Sequence, residues 1–216
     1  MADILGGKGE FRTWAEAKRD RLIRRLITSI RCRTQIGISV SVPRLAYDRE
    51  IHGRIRGRFG KFHYTFAVRS CLTQIKGWRE RHGITEPMPY VFDRMSQGKG
   101  ELIEALEYHI STGRAALSGL LKEGYSFHDK TKLPPLQAAD ILAHETYRCF
   151  VDELIAPGSI PNHYLGKLAE GGLIKKYWTG ELLAKVRDNL TRQYDELGEW
   201  PPPLTNAKGP KTKVSR

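Results

Sequence analysis

Residues 125–147 read YSFHDKTKLPPLQAADILAHETY and predict a short strand, a Pro-Pro corner and a helix. The strand leads into Asp129, and the helix is expected to begin at the prolines, because proline is tolerated in a first helical turn. At about 100° per residue, four side chains of this helix share a stripe roughly 80° wide: Gln137, Asp140, His144 and Tyr147. An acid, an amide and an imidazole are thus aligned on one face, a pattern that is typical of a functional site but also of a solvated surface.

The opposite side of the same helix is mostly small and apolar, which suits packing against a sheet; it comprises Ala138, Ala139, Leu142, Thr146, Cys149 and Phe150. A second segment, MPYVFD at residues 88–93, is an apolar strand that also ends in an acid, Asp93. Two elements that deliver carboxylates to one sheet edge are what a divalent-metal phosphodiester site requires.

Length and composition indicate a folded protein of 216 residues, with 40% hydrophobic and 28% charged residues. We expect one domain over residues 1–198 and a disordered Pro/Lys-rich tail over residues 199–216. The three cysteines are widely spaced, which argues against a disulfide framework or a zinc site and favours a reducing, cytoplasmic location. No apolar run is long enough for a membrane span, and the absence of Rossmann and P-loop patterns argues against a nucleotide cofactor.

The basic charge is concentrated in the first part of the chain. The formal net charge is +12, and residues 1–82 hold 19 Lys and Arg against 7 Asp and Glu, whereas residues 83–216 hold 17 of each kind. A concentrated positive field attracts polyanions, and nucleic acid, either DNA or RNA, is the commonest partner. A basic surface that binds nothing is the alternative.

The order of predicted elements indicates an α/β protein with a mainly parallel sheet, since strands and helices alternate along the chain. We expect strands at residues 35–42, 88–92 and 125–128, and helices at residues 13–31, 63–82, 101–112, 134–155 and 180–197. Three strands make a thin sheet for a chain of this length.

Two basic segments are candidates for phosphate contact. Residues 44–62 are predicted to form a loop in which guanidinium groups and a lysine alternate with glycine, namely Arg54, Arg56, Arg58 and Lys61. The helix at residues 13–31 adds Arg24 and Arg25. A solvated surface loop is the alternative for the first segment.

The segments YVFDRMSQGKGE and FHDKTKLPPLQAADILAHETYR resemble the two C-terminal motifs of the family known as domain of unknown function 3800. Leu136, Gln137, Ala139 and Asp140 match a late helix that begins Leu-Gln-x-Ala-Asp, and Asp93 matches the acid that ends a middle strand. The resemblance implies an RNase H-like layered fold, with a mainly parallel central sheet flanked by helices. It also implies a nuclease in which acids hold Mg²⁺ or Mn²⁺ against a scissile phosphate.

The metal ligands expected from these motifs are Asp93 and Asp140, with Asp129 as a third candidate. His144 lies one turn beyond Asp140 and would position water or a phosphate, so Asp93, Asp140 and His144 form the expected catalytic set. Gln137 would hold the Asp140 carboxylate as a hydrogen-bond donor. Each acid also has an alternative interpretation without a function in catalysis, as a turn residue or as an exposed helix acid.

The chain departs from the family in one respect, because the Asp-Glu-Ser-Gly motif of its first strand is absent. We therefore expect an N-terminally truncated fold that lacks an upstream strand and the first catalytic acid, which would make the chain an inactive fragment. Three functions remain open: a metal-dependent nuclease, a non-catalytic nucleic-acid-binding module, and a basic protein that binds an acidic protein partner.

Overall fold

The computed structural model describes residues 8–94, 97–112, 124–155, 163–200 and 203–204. The fold is α/β and mostly helical, with strands that pair in parallel as two small sheets. In the first sheet β1 (Gly37–Ser41) pairs with β4 (Leu173–Tyr177), and in the second β2 (Tyr90–Asp93) pairs with β3 (Tyr125–His128). The prediction of an α/β fold is confirmed, and the described strands form two sheets where the sequence predicts one.

The helices agree closely with the predicted periodic segments wherever those segments are long. The α-helices of the described residues are α1 (Glu16–Arg31), α2 (Arg44–Glu50), α3 (Gly53–Phe59), α4 (His63–Arg81), α5 (Lys99–Thr112), α6 (Pro134–Ile155), α7 (His163–Ala169) and α8 (Gly180–Leu197). Short 3₁₀ turns occupy Gly9–Phe11 and Lys130–Lys132. None of the helices in the described ranges is long and apolar enough to cross a membrane.

The prediction of a flexible loop over residues 44–62 is wrong, because α2 and α3 occupy most of it. Tyr47, Ile51, Ile55 and Phe59 recur every four residues and are all buried, so a helical apolar stripe overrides the glycine content of the segment. Gly60, with a φ of 95°, follows the last helical residue in a conformation that favours glycine.

Besides α2 and α3, the sequence analysis does not predict the seven-residue α7 or the strand β4. The strand reads LIKKY, and its two lysines hide the alternation that would mark a half-buried strand. Helix α7 is short, and Leu165 and Leu168 are its buried residues. Both elements depend on partners distant in sequence, α1 for α7 and β1 for β4.

The chain divides into two compact units, and each has a core of its own. The first unit comprises residues 1–41 and 128–176, and the second comprises residues 42–127 and 177–216. In the first unit, Ile23 and Ile27 of α1 pack with Ile141 of α6 and Leu168 of α7. Helix α6 also lies directly on β1, since a Cβ atom at Gly37 would lie 3.2 Å from Cδ2 of Leu142.

The second unit contains two clusters of buried apolar side chains. One joins α2, α3, α4 and α8, and its buried members are Tyr47, Ile51, Ile55, Phe59, Phe66 and Leu183. The other joins α4, α5 and β2, and its buried members are Val68, Leu72, Tyr90, Leu102 and Leu106. The backbone N–H of Leu204 donates to the carbonyl of Gly57 at 2.7 Å. Most of the predicted disordered tail at residues 199–216 lies outside the described residues.

Candidate functional site

Helix α1 is amphipathic, and its solvent side is basic. Ile23 and Ile27 are buried in the first unit, whereas Lys18, Arg21 and Arg25 are exposed. At about 100° per residue these three cations lie within roughly 60° of one another around the helix axis. We call them the α1 basic face.

The cations of the α1 basic face are not neutralised by carboxylates of the described residues. Arg21 and Arg25 make no hydrogen bond or ion pair with any described residue, and Lys18 lies over the Trp14 ring, with Nζ 3.9 Å from its centroid. Because opposite charges would otherwise offset part of the field, this surface presents uncompensated positive charge to solvent.

Arg24, the other predicted contact on α1, is already paired within the first unit. Its Nε lies 2.6 Å from Oδ2 of Asp20, and the Tyr164 hydroxyl donates to the other oxygen of Asp20 at 2.6 Å. The hydrogen bonds from Tyr164 and Arg24 lower the pKa of Asp20, which keeps this carboxyl charged. Arg24 therefore contributes less to the outward field than Arg25 does.

The polar corner between β3 and α6 holds three of the residues predicted for the metal site. Oδ1 of Asp129 accepts hydrogen bonds from the backbone N–H of Thr131 at 2.9 Å and from its hydroxyl at 2.7 Å, and so caps the turn at Lys130–Lys132. Nε2 of Gln137 donates to the carbonyl of Thr131 at 3.3 Å. The structure therefore shows Gln137 supporting this turn, where the sequence had predicted a bond to Asp140.

Asp140 is exposed at the same corner, as helical periodicity predicts, and its Oδ1 lies 3.0 Å from Nζ of Lys130. His144 follows one turn later and is partly buried. No group of three His, Cys, Asp or Glu side chains suited to a metal ion occurs within the described ranges.

Asp93 ends β2 in the second unit and is partly buried, whereas Asp129, Asp140 and His144 belong to the first unit. The structure thus places Asp93 at the end of its strand, as the sequence predicts.

The cations predicted in residues 44–62 have different environments in α3 and just after it. Arg56 is bonded within the second unit. Its Nη2 donates to Oδ1 of Asp48 at 2.8 Å and to the carbonyl oxygen of Lys61 at 2.6 Å. Arg58 is buried, and its guanidinium carbon lies 4.8 Å from the centroid of the Tyr108 ring. Arg54 and Lys61 are exposed. Of the four, only Arg54 and Lys61 are therefore accessible to a phosphate at the surface.

Glu145 of α6 is a buried acid that the sequence analysis did not single out. Its side chain is fully buried, and neither carboxylate oxygen accepts a hydrogen bond from a described residue; Nη1 of Arg148 lies 3.8 Å away. Burial raises the pKa of Glu145, and Arg148 opposes that effect only in part. The spacing of four residues from Ile141 and Cys149, both buried, was the signal in the sequence.

Comparison with protein-family models, with curated proteins and with solved structures finds no match for this chain. The resemblance to the domain of unknown function 3800 family therefore stays a prediction that depends on the two sequence motifs.

Proposed function

We propose that this chain is a nucleic-acid-binding protein whose α1 basic face contacts the phosphate backbone. The observation that carries the proposal is the pair of exposed guanidinium groups, Arg21 and Arg25, one helical turn apart and without a carboxylate partner in the described residues. Arginine forms charge-assisted hydrogen bonds with phosphate oxygens, and such contacts supply most sequence-independent affinity.

The distribution of charge along the chain supports a polyanionic partner. The excess of Lys and Arg lies in residues 1–82, which include all of α1. An acidic protein is the other class of partner that such a surface attracts. Nucleic acid is favoured because its phosphates repeat along a strand, so that side chains one turn apart on a helix can engage neighbouring groups.

We further propose that the α/β fold is an RNase H-like layered fold, related to the domain of unknown function 3800 family. The support is the match of Leu136, Gln137, Ala139 and Asp140 to the late-helix motif, on a helix that begins at Pro134. Parallel pairing of β2 with β3 agrees with such a fold at the level of its class.

The test of the binding proposal is photo-crosslinking of the full chain to uniformly labelled single-stranded and double-stranded DNA and RNA, followed by peptide mapping. We expect crosslinked peptides to include residues of α1 between Lys18 and Cys32. Crosslinks confined to other parts of the chain would move the interface away from α1, and the absence of any crosslink at physiological salt would favour an acidic protein partner.

A second candidate function is hydrolysis of phosphodiester bonds with a divalent ion. The observation that favours it is the exposed Asp140 carboxylate at the β3–α6 corner, where it already attracts the cation Lys130 at 3.0 Å. When bound, a divalent ion would supply Lewis-acid stabilisation of charge on the scissile phosphate. In this chain Asp140 would hold the ion, while Gln137 and Asp129 keep the supporting turn in place.

Replacing Asp140 with Asn is expected to lower Mg²⁺- or Mn²⁺-dependent cleavage by at least about 100-fold while binding is retained, because several kcal/mol of charge stabilisation would be lost. The measurement compares initial cleavage rates and dissociation constants on the same labelled oligonucleotide. Asp152→Asn is the matched control, since Asp152 is exposed on the same helix. Equal cleavage by both variants, or no cleavage by the parent chain, would leave only the binding function.

A further inference from the structure

Three helices of the second unit bring two arginines and a histidine close together, and two of these residues are buried. Arg58 lies on α3, Arg69 on α4 and His109 on α5. Nη1 of Arg69 donates to the carbonyl oxygen of Arg58 at 3.0 Å, which joins α4 to α3. The guanidinium carbon of Arg58 lies 4.8 Å from the centroid of the Tyr108 ring, and that centroid lies 5.9 Å from the centroid of the His109 ring. We refer to Arg58, Arg69 and His109 as the Arg-Arg-His cluster.

Two members of the cluster, Arg58 and His109, are buried and poorly satisfied, and the third, Arg69, is partly buried. Arg58 is 8% exposed and its Nε has no hydrogen-bond partner among the described residues, and His109 is 3% exposed with neither ring nitrogen partnered there. No carboxylate of the described residues lies within 4.0 Å of either guanidinium group. Glu101, the buried acid on α5, instead accepts a hydrogen bond from the backbone N–H of Phe62. Two cations and an imidazole therefore lie close together without a carboxylate partner among the described residues.

The electrostatic cost of this arrangement is large. Burial and the nearby charge of Arg58 lower the pKa of Arg69 to about 9, and burial followed by the charges of Arg69 and Arg58 lowers that of His109 to about 3. Arg69 is thus charged at neutral pH, and the His109 imidazole is neutral. The rings of Tyr108 and Phe59, each 4.8 Å from a guanidinium carbon, provide cation–π contacts, which offset only part of the cost of burying two like charges.

Glu101 and Glu104 of α5 form no ion pair with Arg58 or Arg69. Outside the described residues, Glu123 is the only acid in this unit's sequence. A mobile ion from solution is therefore the simplest counterion. A dianion is favoured over a monoanion, because two positive charges face it and the neutral imidazole can donate one N–H.

We propose that the Arg-Arg-His cluster is a binding site for a phosphate group, either inorganic phosphate or a phosphate monoester. The two guanidinium groups present planar forks of donors that suit phosphate oxygens, and the His109 imidazole supplies a third donor. This site is in the second unit and does not depend on the α1 basic face, so it is a function separate from backbone binding.

The test is isothermal titration of the full chain with sodium phosphate at constant ionic strength, with chloride as the balancing anion. We expect saturable binding by the parent chain, at least about tenfold weaker in Arg69→Gln because a charged, forked donor is removed. Arg81→Gln is the matched control: it removes the same charge from an exposed position at the end of the same helix, and its affinity should stay within about twofold of the parent. No saturable binding by the parent, or equal losses in the two variants, would overturn the proposal.

Two further arms complete the test. Titration with adenosine monophosphate and with adenosine separates the sources of the phosphate: tighter binding of the monophosphate than of inorganic phosphate identifies a monoester site, and equal binding identifies free phosphate.

Glu123→Gln tests whether an acid of the chain itself is the counterion of the cluster. If the parent chain fails to bind phosphate and Glu123→Gln binds it, Glu123 neutralises the cluster and the proposal is wrong. The parent titration stands by itself if Arg69→Gln fails to fold.

Discussion

Replacing both Arg21 and Arg25 with glutamate is expected to weaken nucleic-acid binding by about 100-fold or more near 0.1 M salt. Each substitution removes a phosphate contact and its counterion release, and then adds a negative charge that repels the backbone. The effect should be similar for different sequences, because phosphate contacts position a protein without reading bases. Fluorescence anisotropy with labelled oligonucleotides of unrelated sequence measures it.

The double variant should fold normally, since both side chains are exposed and make no bond with a described residue, and such surface changes rarely alter stability by more than about 0.5 kcal/mol. Arg81→Glu combined with Arg94→Glu is the matched control, because both positions are exposed in the second unit and the net charge changes equally. Equal weakening in the two double variants would mean that overall charge, and not the α1 basic face, determines the affinity.

Replacing Glu145 with Gln is expected to stabilise the protein at pH 8 by roughly 1–3 kcal/mol, because a neutral amide of the same shape replaces a buried carboxylate, and burying a charge costs more than burying a neutral polar group. Burial raises the folded-state pKa of this carboxyl above its ordinary value of 4.5. A raised folded pKa means that the folded state holds the proton more tightly than the unfolded state does. The contribution of this proton to the free energy of unfolding is therefore complete below about pH 4.5 and is lost as pH rises through the folded pKa. The parent chain should therefore lose stability relative to the variant as pH rises.

The measurement is denaturant unfolding of both proteins at several pH values between 4.5 and 8, with the free energies of unfolding compared at each pH. The gap between Glu145→Gln and the parent should close toward the acidic end. Glu196→Gln serves as the control, because Glu196 is exposed on α8 and its replacement should leave the pH dependence unchanged. A gap that stays constant with pH would show that Glu145 does not titrate differently in the folded and unfolded states.

Helices with long apolar stripes could be predicted almost to the residue from the sequence. Helices α4, α6 and α8 agree with their predicted ranges because each repeats apolar residues at helical spacing over several turns. In the segment containing α2 and α3, glycines and arginines favour a loop, whereas the four-residue spacing from Tyr47 to Phe59 is that of a helix, and the buried apolar stripe decides the structure. Strand β4 could not be predicted, since its pairing with β1 is a contact between distant parts of the chain.

The candidate site shows the same division between local and long-range information. Exposure of Gln137, Asp140 and Tyr147 follows from helix periodicity and was predicted. The ion pair between Lys130 and Asp140 depends on how the turn folds against α6, which spacing alone does not specify. Buried polar groups are hard to predict for a different reason: His109 has the spacing of the buried Ala105 and Leu106 on α5, but helical spacing gives higher weight to apolar residues than to a titratable one on the same face.

The slope of log affinity against log salt concentration for the parent chain reports how many phosphates of the nucleic-acid backbone α1 contacts. Each phosphate contact contributes about −0.9 to the slope on duplex DNA and about −0.7 on single strands. Three contacts from the α1 basic face predict a slope of about −2 to −3, and Arg21→Glu combined with Arg25→Glu should reduce its magnitude by nearly two contacts. An affinity that barely responds to salt, or an unchanged slope in the double variant, would contradict the account.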